Sequence, residues 1–198
     1  NLSVEPILVR SSNVGSVILA KKIGEQKFKD FIKDTKLLKS PELELEEVGV
    51  PHDIKWNKCK LETVSFGHGI TTTPVQAASV YAAISNGGKL IKPSLVKNRK
   101  SKNLKNLLSV ETSKTINGIL RKVVSSKEGT AHLADKDGYY VGGKTGTAES
   151  YGNKKDRINT FISVFPTNRP KYTLLVMLEN PQINKDLIYD YRGIKAKA

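Results

Sequence analysis

The chain has 198 residues, enough for one domain or a large part of one. Its hydrophobic share of 38% lies below that of a usual compact domain but above the disordered range, and no apolar run reaches the length of a membrane span. A net charge of +14 raises nucleic-acid binding, yet 27 of the 33 cations are lysines and they are scattered, so no nucleic-acid partner is expected: that footprint is a clustered stripe, and a lysine-rich solvated surface is the simpler reading.

The single cysteine, Cys59, excludes an internal disulfide framework. The chain opens at Asn1 with no initiator Met and no charged-then-apolar leader, which reads as a piece of a longer protein. In chain order, Val14, Val17 and Ile18 predict a helix over 13–23 that Gly24 stops, and Phe28, Phe31, Ile32 and Leu38 predict another over 25–38. Residues 41–59 read as irregular, with a turn at Gly49, Val50 and Pro51, followed by a glycine-bracketed loop over 65–69. Thr73 as N-cap and Pro74 at the first helical position start a helix through Ala77, Ala78, Tyr81 and Ile84 that ends at Gly87 and Gly88. Lys97, Arg99, Lys100, Lys102 and Lys105 read as an exposed basic loop, offset by Glu42, Glu44, Glu46 and Glu47. A helix over 112–127 carries Ile116, Ile119, Leu120 and Val123. Strands follow at 139–148, 158–166 and 171–179, the last two joined by a hairpin-length connection at 167–171. The last two strands are apolar on both faces, which predicts an α+β architecture, an antiparallel sheet covered by helices.

Lys144, Thr145, Gly146 and Thr147 carry the chemistry. A cation, a hydroxyl and a bare position on an extended segment make an edge for a carboxylate and an approaching backbone. A shuffled chain of this composition would contain Lys-Thr-Gly about one time in eight, so the tripeptide needs company. Serine acyl-transferases combine it with S-x-x-K and S-x-N. S-x-N occurs twice, at Ser11–Asn13 and Ser101–Asn103. The first stands directly before a helix, where a turn can aim both side chains one way; the second lies in the basic loop.

Taken with Ser65, Phe66, Gly67, His68 and Gly69, and with the alanine-rich helix that follows, these motifs resemble the class B penicillin-binding proteins, the monofunctional peptidoglycan transpeptidases. The Phe-Gly-His-Gly wording is most similar to the division-specific, septal branch, with the elongation-specific branch as near neighbour. The resemblance covers almost all of 1–198, as a partial transpeptidase domain with a β-lactamase-like fold, incomplete at both ends. It implies a periplasmic enzyme anchored in the inner membrane by a segment outside this chain. It implies no cofactor and no metal; His52, Cys59 and His68 also lack the spacing of a compact ligand set. The implied substrate is a stem peptide ending in D-Ala-D-Ala, the implied inhibitors are β-lactams, and division proteins are the implied partners. Lys144 would attract the substrate carboxylate, helped by the hydroxyls of Thr145 and Thr147, with Gly146 between them. The Thr147 N–H would be one oxyanion donor. Ser11 would relay a proton between the S-x-x-K lysine and the leaving amine, and Asn13 would bind the substrate amide and orient that lysine.

S-x-x-K itself matches only at Ser94–Lys97. The match follows S-x-N where the family's nucleophile precedes it, and Pro93 beside a basic loop offers no helix to bring Lys one turn from Ser. About two such matches arise by chance. The nucleophile is therefore expected upstream of Asn1. The chain also stops at Ala198, where the resemblance implies a closing helix over the sheet. Exposed apolar sheet surface and self-association follow as expectations. The alternatives are a non-catalytic ligand-binding or β-lactam-sensing domain of the same fold, and the elongation-specific enzyme; taken singly, Ser11 and Asn13 could simply cap the helix and Lys144 could be a surface strand lysine.

Overall fold

The computed structural model describes residues 3–100, 102–150, 153–182, 188–191 and 194–197. Helices α1 (Val4–Val9), α2 (Asn13–Ile23), α3 (Glu25–Asp34), α4 (Lys60–Ser65) and α5 (Pro74–Ser85) come first. Strands β1 (Lys89–Ile91) and β2 (Asn103–Asn106) pair antiparallel, and α6 (Val110–Ser125) follows. The main sheet is β3 (Gly142–Ser150), β4 (Asn153–Phe165) and β5 (Tyr172–Glu179) in that order, all antiparallel; β6 (Ile188–Tyr191) and β7 (Ile194–Lys197) form a separate pair.

Three long helices start where a hydroxyl satisfies an orphan N–H. Ser12 accepts from Gly15 N at 3.1 Å, Thr73 from Gln76 N at 3.2 Å and Ser109 from Thr112 N at 3.1 Å. Each such cap contributes about 1 kcal/mol. The core gathers Val9, Ile119, Val123, Val124 and Ala131, with Leu8, Val141 and Phe161 packed against them. Val123 and Val124 are wholly buried, each such side chain contributing about 2 kcal/mol by burial. Helix α6 lies directly on β3: a Cβ at Gly142 would fall 2.9 Å from Arg121 N and 3.0 Å from the Leu120 carbonyl carbon, so only glycine admits that approach. Val9 stands just ahead of Ser11 and Val141 just ahead of Lys144, so this core sits beneath both motifs.

The α+β architecture and the three-stranded antiparallel sheet are as expected, with strand ends shifted by up to five residues. Other expectations are corrected. Helix α3 ends at Asp34 and Lys36 takes φ +55, so Leu38 lies outside it. The basic stretch is not all loop, because Asn103–Asn106 pairs with Lys89–Ile91. Two six-residue helices, α1 and α4, have no counterpart in the periodicity, which needs longer windows. Apolar sheet surface is present on β5, where Tyr172, Leu174, Val176 and Leu178 are 44–62% exposed along one face.

Candidate active site

Two chain segments 133 residues apart meet at one hydrogen bond: Lys144 Nζ donates to Ser11 Oγ at 2.8 Å. The same ammonium donates to the Thr145 carbonyl at 3.0 Å. Lys144 stands on β3, the outer strand of its sheet among the described residues, opposite Ile162 of β4. It is half-buried, and desolvation pulls its pKa from 10.5 down to about 8.

Ser11 occupies the turn between α1 and α2 at φ +55, a region that non-glycine residues seldom enter. Backbone bonds fix the turn: Ser11 N donates to Leu8 O at 3.2 Å and Ser12 N to Ile7 O at 2.9 Å. Ser12, not Ser11 or Asn13, caps α2. The capping alternative is thereby corrected for both: Ser11 Oγ is turned to Lys144, and Asn13 stands exposed as the first residue of α2.

Thr145 Oγ1 donates to Thr130 Oγ1 at 2.9 Å, in the loop after α6. Thr147 is exposed, opposite Asn159. Gly146 departs from its expected setting, since a Cβ there would fall 2.7 Å from Thr160 Oγ1, so the neighbouring strand already fills that space. Ser11 and Lys144–Thr145 are thus brought together, with Asn13 and Thr147 exposed on the same segments. The glycine-bracketed loop follows α4, which the Lys21–Glu62 ion pair at 3.0 Å ties to α2. Its Phe66 and His68 rings stack with centroids 6.4 Å apart. Trp56 packs beneath the Lys29 ammonium, 4.9 Å from its ring centroid.

Ser94 is built differently. It lies outside any helix, and its hydroxyl donates to Glu44 at 2.8 Å, while Leu95 N donates to the same carboxylate at 3.0 Å. Those bonds, that of Leu95 first, hold the Glu44 carboxyl down at about 2. Lys97 is not one helical turn away, so Ser94–Lys97 has no geometry for an activated serine. Ser101 of the second S-x-N match lies outside the described residues. Sequence reasoning missed Arg10, Glu128 and Thr130; a lone Arg before S-x-N and a Glu-Gly-Thr loop carry no motif signal.

A family model described as the penicillin binding protein transpeptidase domain matches residues 1–198. The chain belongs to that family. It is similar to a probable peptidoglycan D,D-transpeptidase FtsI from Caulobacter vibrioides, 31% identical over 92% of this chain and 33% of the relative. It is equally similar, at 31% identity over 89% of this chain and 30% of the relative, to the stage V sporulation protein D of Bacillus subtilis. The chain therefore spans about a third of the length of these relatives. The crystal structure of penicillin binding protein 3 from Mycobacterium tuberculosis, complexed with aztreonam, shares the fold, with a TM-score of 0.80 at 23% identity over 90% of this chain and 45% of that one.

Proposed function

We propose that residues 1–198 form part of a transpeptidase domain and carry the second and third active-site motifs of a serine D,D-transpeptidase that cross-links peptidoglycan stem peptides. The observation that carries this reading is the 2.8 Å bond from Lys144 Nζ to Ser11 Oγ, which joins S-x-N to K-T-G across 133 residues. In this reading Lys144 attracts the terminal carboxylate of a D-Ala-D-Ala stem, and the half-buried setting strengthens that attraction over its value in water. Thr147 adds a hydroxyl; the Thr145 hydroxyl is given to Thr130 in this structure and so holds the strand rather than the carboxylate. An edge strand leaves alternate backbone N–H groups unpaired, and the one at Thr147 serves as an oxyanion donor. Because Ser11 Oγ accepts from Lys144, its own O–H is free to point elsewhere; it hands that proton to the leaving amine in a relay with the S-x-x-K lysine. Asn13 holds the substrate amide. The attacking serine comes from a segment outside these residues, and β-lactams, which mimic the stem terminus, acylate it.

The domain acts in the periplasm, anchored in the inner membrane through a segment outside this chain. The septal assignment draws on the Phe66–Gly69 wording and on the relative named FtsI, and brings division proteins as partners; the sporulation relative at the same identity leaves specialised septa within the same reading.

Fluorescent penicillin labelling tests the proposal. The full-length protein is expected to label covalently, Lys144→Ala to label at least about 100-fold more slowly, and residues 1–198 alone not at all. Full labelling of Lys144→Ala removes the carboxylate role; labelling of the 198 residues alone places the nucleophile within them.

A further inference from the structure

One loop touches both walls of the site. After α6, Glu128 accepts a two-pronged hydrogen bond from Arg10, with Nε at 2.9 Å and the terminal nitrogen at 2.8 Å on its two oxygens. Arg10 immediately precedes Ser11. Two residues beyond Glu128, Thr130 Oγ1 receives the Thr145 hydroxyl at 2.9 Å, and Thr145 immediately follows Lys144. The stretch between is seated on the core: Gly129 N donates to Ser126 O at 2.9 Å and Ala131 N to the carbonyl of the wholly buried Val123 at 3.2 Å. A Cβ at Gly129 would run into that same Val123 carbonyl. The loop is therefore a fixed bracket with one arm on each motif.

We propose that Glu128 and Thr130 are positioning residues, which set the S-x-N turn and the K-T-G strand at a constant distance from each other; this rests on the transpeptidase reading above. Ser11 sits at φ +55, where backbone strain must be held by its surroundings. The planar Arg–carboxylate fork fixes direction as well as distance. Arg10 and Glu128 are 46% and 61% exposed, so their pair adds little to stability, and its contribution is to geometry. The two arms act on different steps. The Glu128 arm reaches Ser11, the proton relay; the Thr130 arm reaches Lys144, the carboxylate site.

The test separates those steps in the full-length protein, by measuring penicillin dissociation constant and limiting acylation rate together with the thermal midpoint. Glu128→Gln should lower the limiting rate about tenfold with the dissociation constant little changed, and exchanging the pair (Arg10→Glu with Glu128→Arg) should restore most of it. Thr130→Val should weaken binding about tenfold with the rate little changed, and Thr130→Ser should restore it. Thermal midpoints should stay near wild type. Wild-type kinetics in both variants, no rescue by the exchange or by Ser, or losses that track a fallen midpoint would overturn the assignment. The NMR signal of 13C-methylated Lys144 gives a readout free of the chemistry. If the wild type fails to label, the transpeptidase reading falls, yet a Lys144 signal displaced by Thr130→Val and Glu128→Gln with Lys97 unmoved still supports the bracket. An unmoved Lys144 signal overturns the bracket.

Discussion

Ser11 and Ser94 make an instructive pair. Each opens a short motif of the same enzyme class, but Ser94 has its lysine three residues on, at Lys97, and Ser11 meets one 133 residues away. Ser94 lies in an irregular stretch and gives its proton to Glu44, a carboxylate of another loop 50 residues away that also takes Leu95 N and Arg99. Ser11 is held in a left-handed turn between two helices and takes the ammonium of Lys144 from the far side of the domain. The Ser94 cluster fastens one surface loop to another. The Ser11 contact exists only because α1, α6 and β3 share a core. Both contacts are tertiary; what sets Ser11 apart is that the fold aims it at the lysine of a second motif, whereas Ser94 is bonded to a loop-tying carboxylate.

The pair can be broken at several levels. The largest expected effect is on chemistry: in the full-length protein Ser11→Ala should slow penicillin acylation about 100-fold, the scale of a positioned proton donor, while Ser94→Ala leaves it unchanged. Equal effects would erase the distinction. Next comes pH. Burial holds the Lys144 pKa at about 8 against 10.5 for a free lysine. Affinity for a D-Ala-D-Ala peptide should therefore fall as pH rises through about 8, by up to about tenfold per unit until carboxylate binding no longer returns the proton. In the linkage sense, the folded chain loses this proton first. Its contribution opposes folding fully below about pH 8 and is relieved toward 10.5. A Lys144 NMR titration centred near 10.5 would show that burial is not felt.

Self-association offers a third test. The open β5 face should drive concentration-dependent association of residues 1–198, and Leu174→Lys with Val176→Lys should shift light scattering toward monomer. A clean wild-type monomer at high concentration counts against it. The smallest effects are on stability, first at Ser12, which caps α2 between the two motif residues. Ser12→Ala should cost about 1 kcal/mol, roughly 2–4 °C in thermal midpoint. Ser94→Ala should stay within about 0.5 kcal/mol.

Much of this was legible in the sequence because long amphipathic helices and apolar strands repeat their signal. The stripe of Ile119, Leu120 and Val123 located α6, and Thr73–Pro74 located the start of α5. K-T-G and the first S-x-N were legible as motifs, and their meeting is the geometry their combination implies. What escaped is short or relational. Helices α1 and α4 span six residues each, too few for a periodic pattern, and α1 contains Pro6 in its first turn. Strand β2 is polar and three of its four residues are exposed, so its identity comes from pairing with β1. Glu128 and Thr130 matter through partners 118 and 15 positions away, which no local window contains.

The bond between Lys144 and Ser11 also carries a kinetic consequence. Closing a loop of 133 residues costs about 4 kcal/mol of chain entropy, more than one such hydrogen bond returns. The bond alone cannot draw its ends together, and it is expected to form once Val9, Val123 and Val141, packed in one core, have met. Contacts of such high sequence separation belong to the late, slow part of folding. The site therefore reports on completion: a chain acquires its paired lysine and serine only when its first and last thirds have found each other.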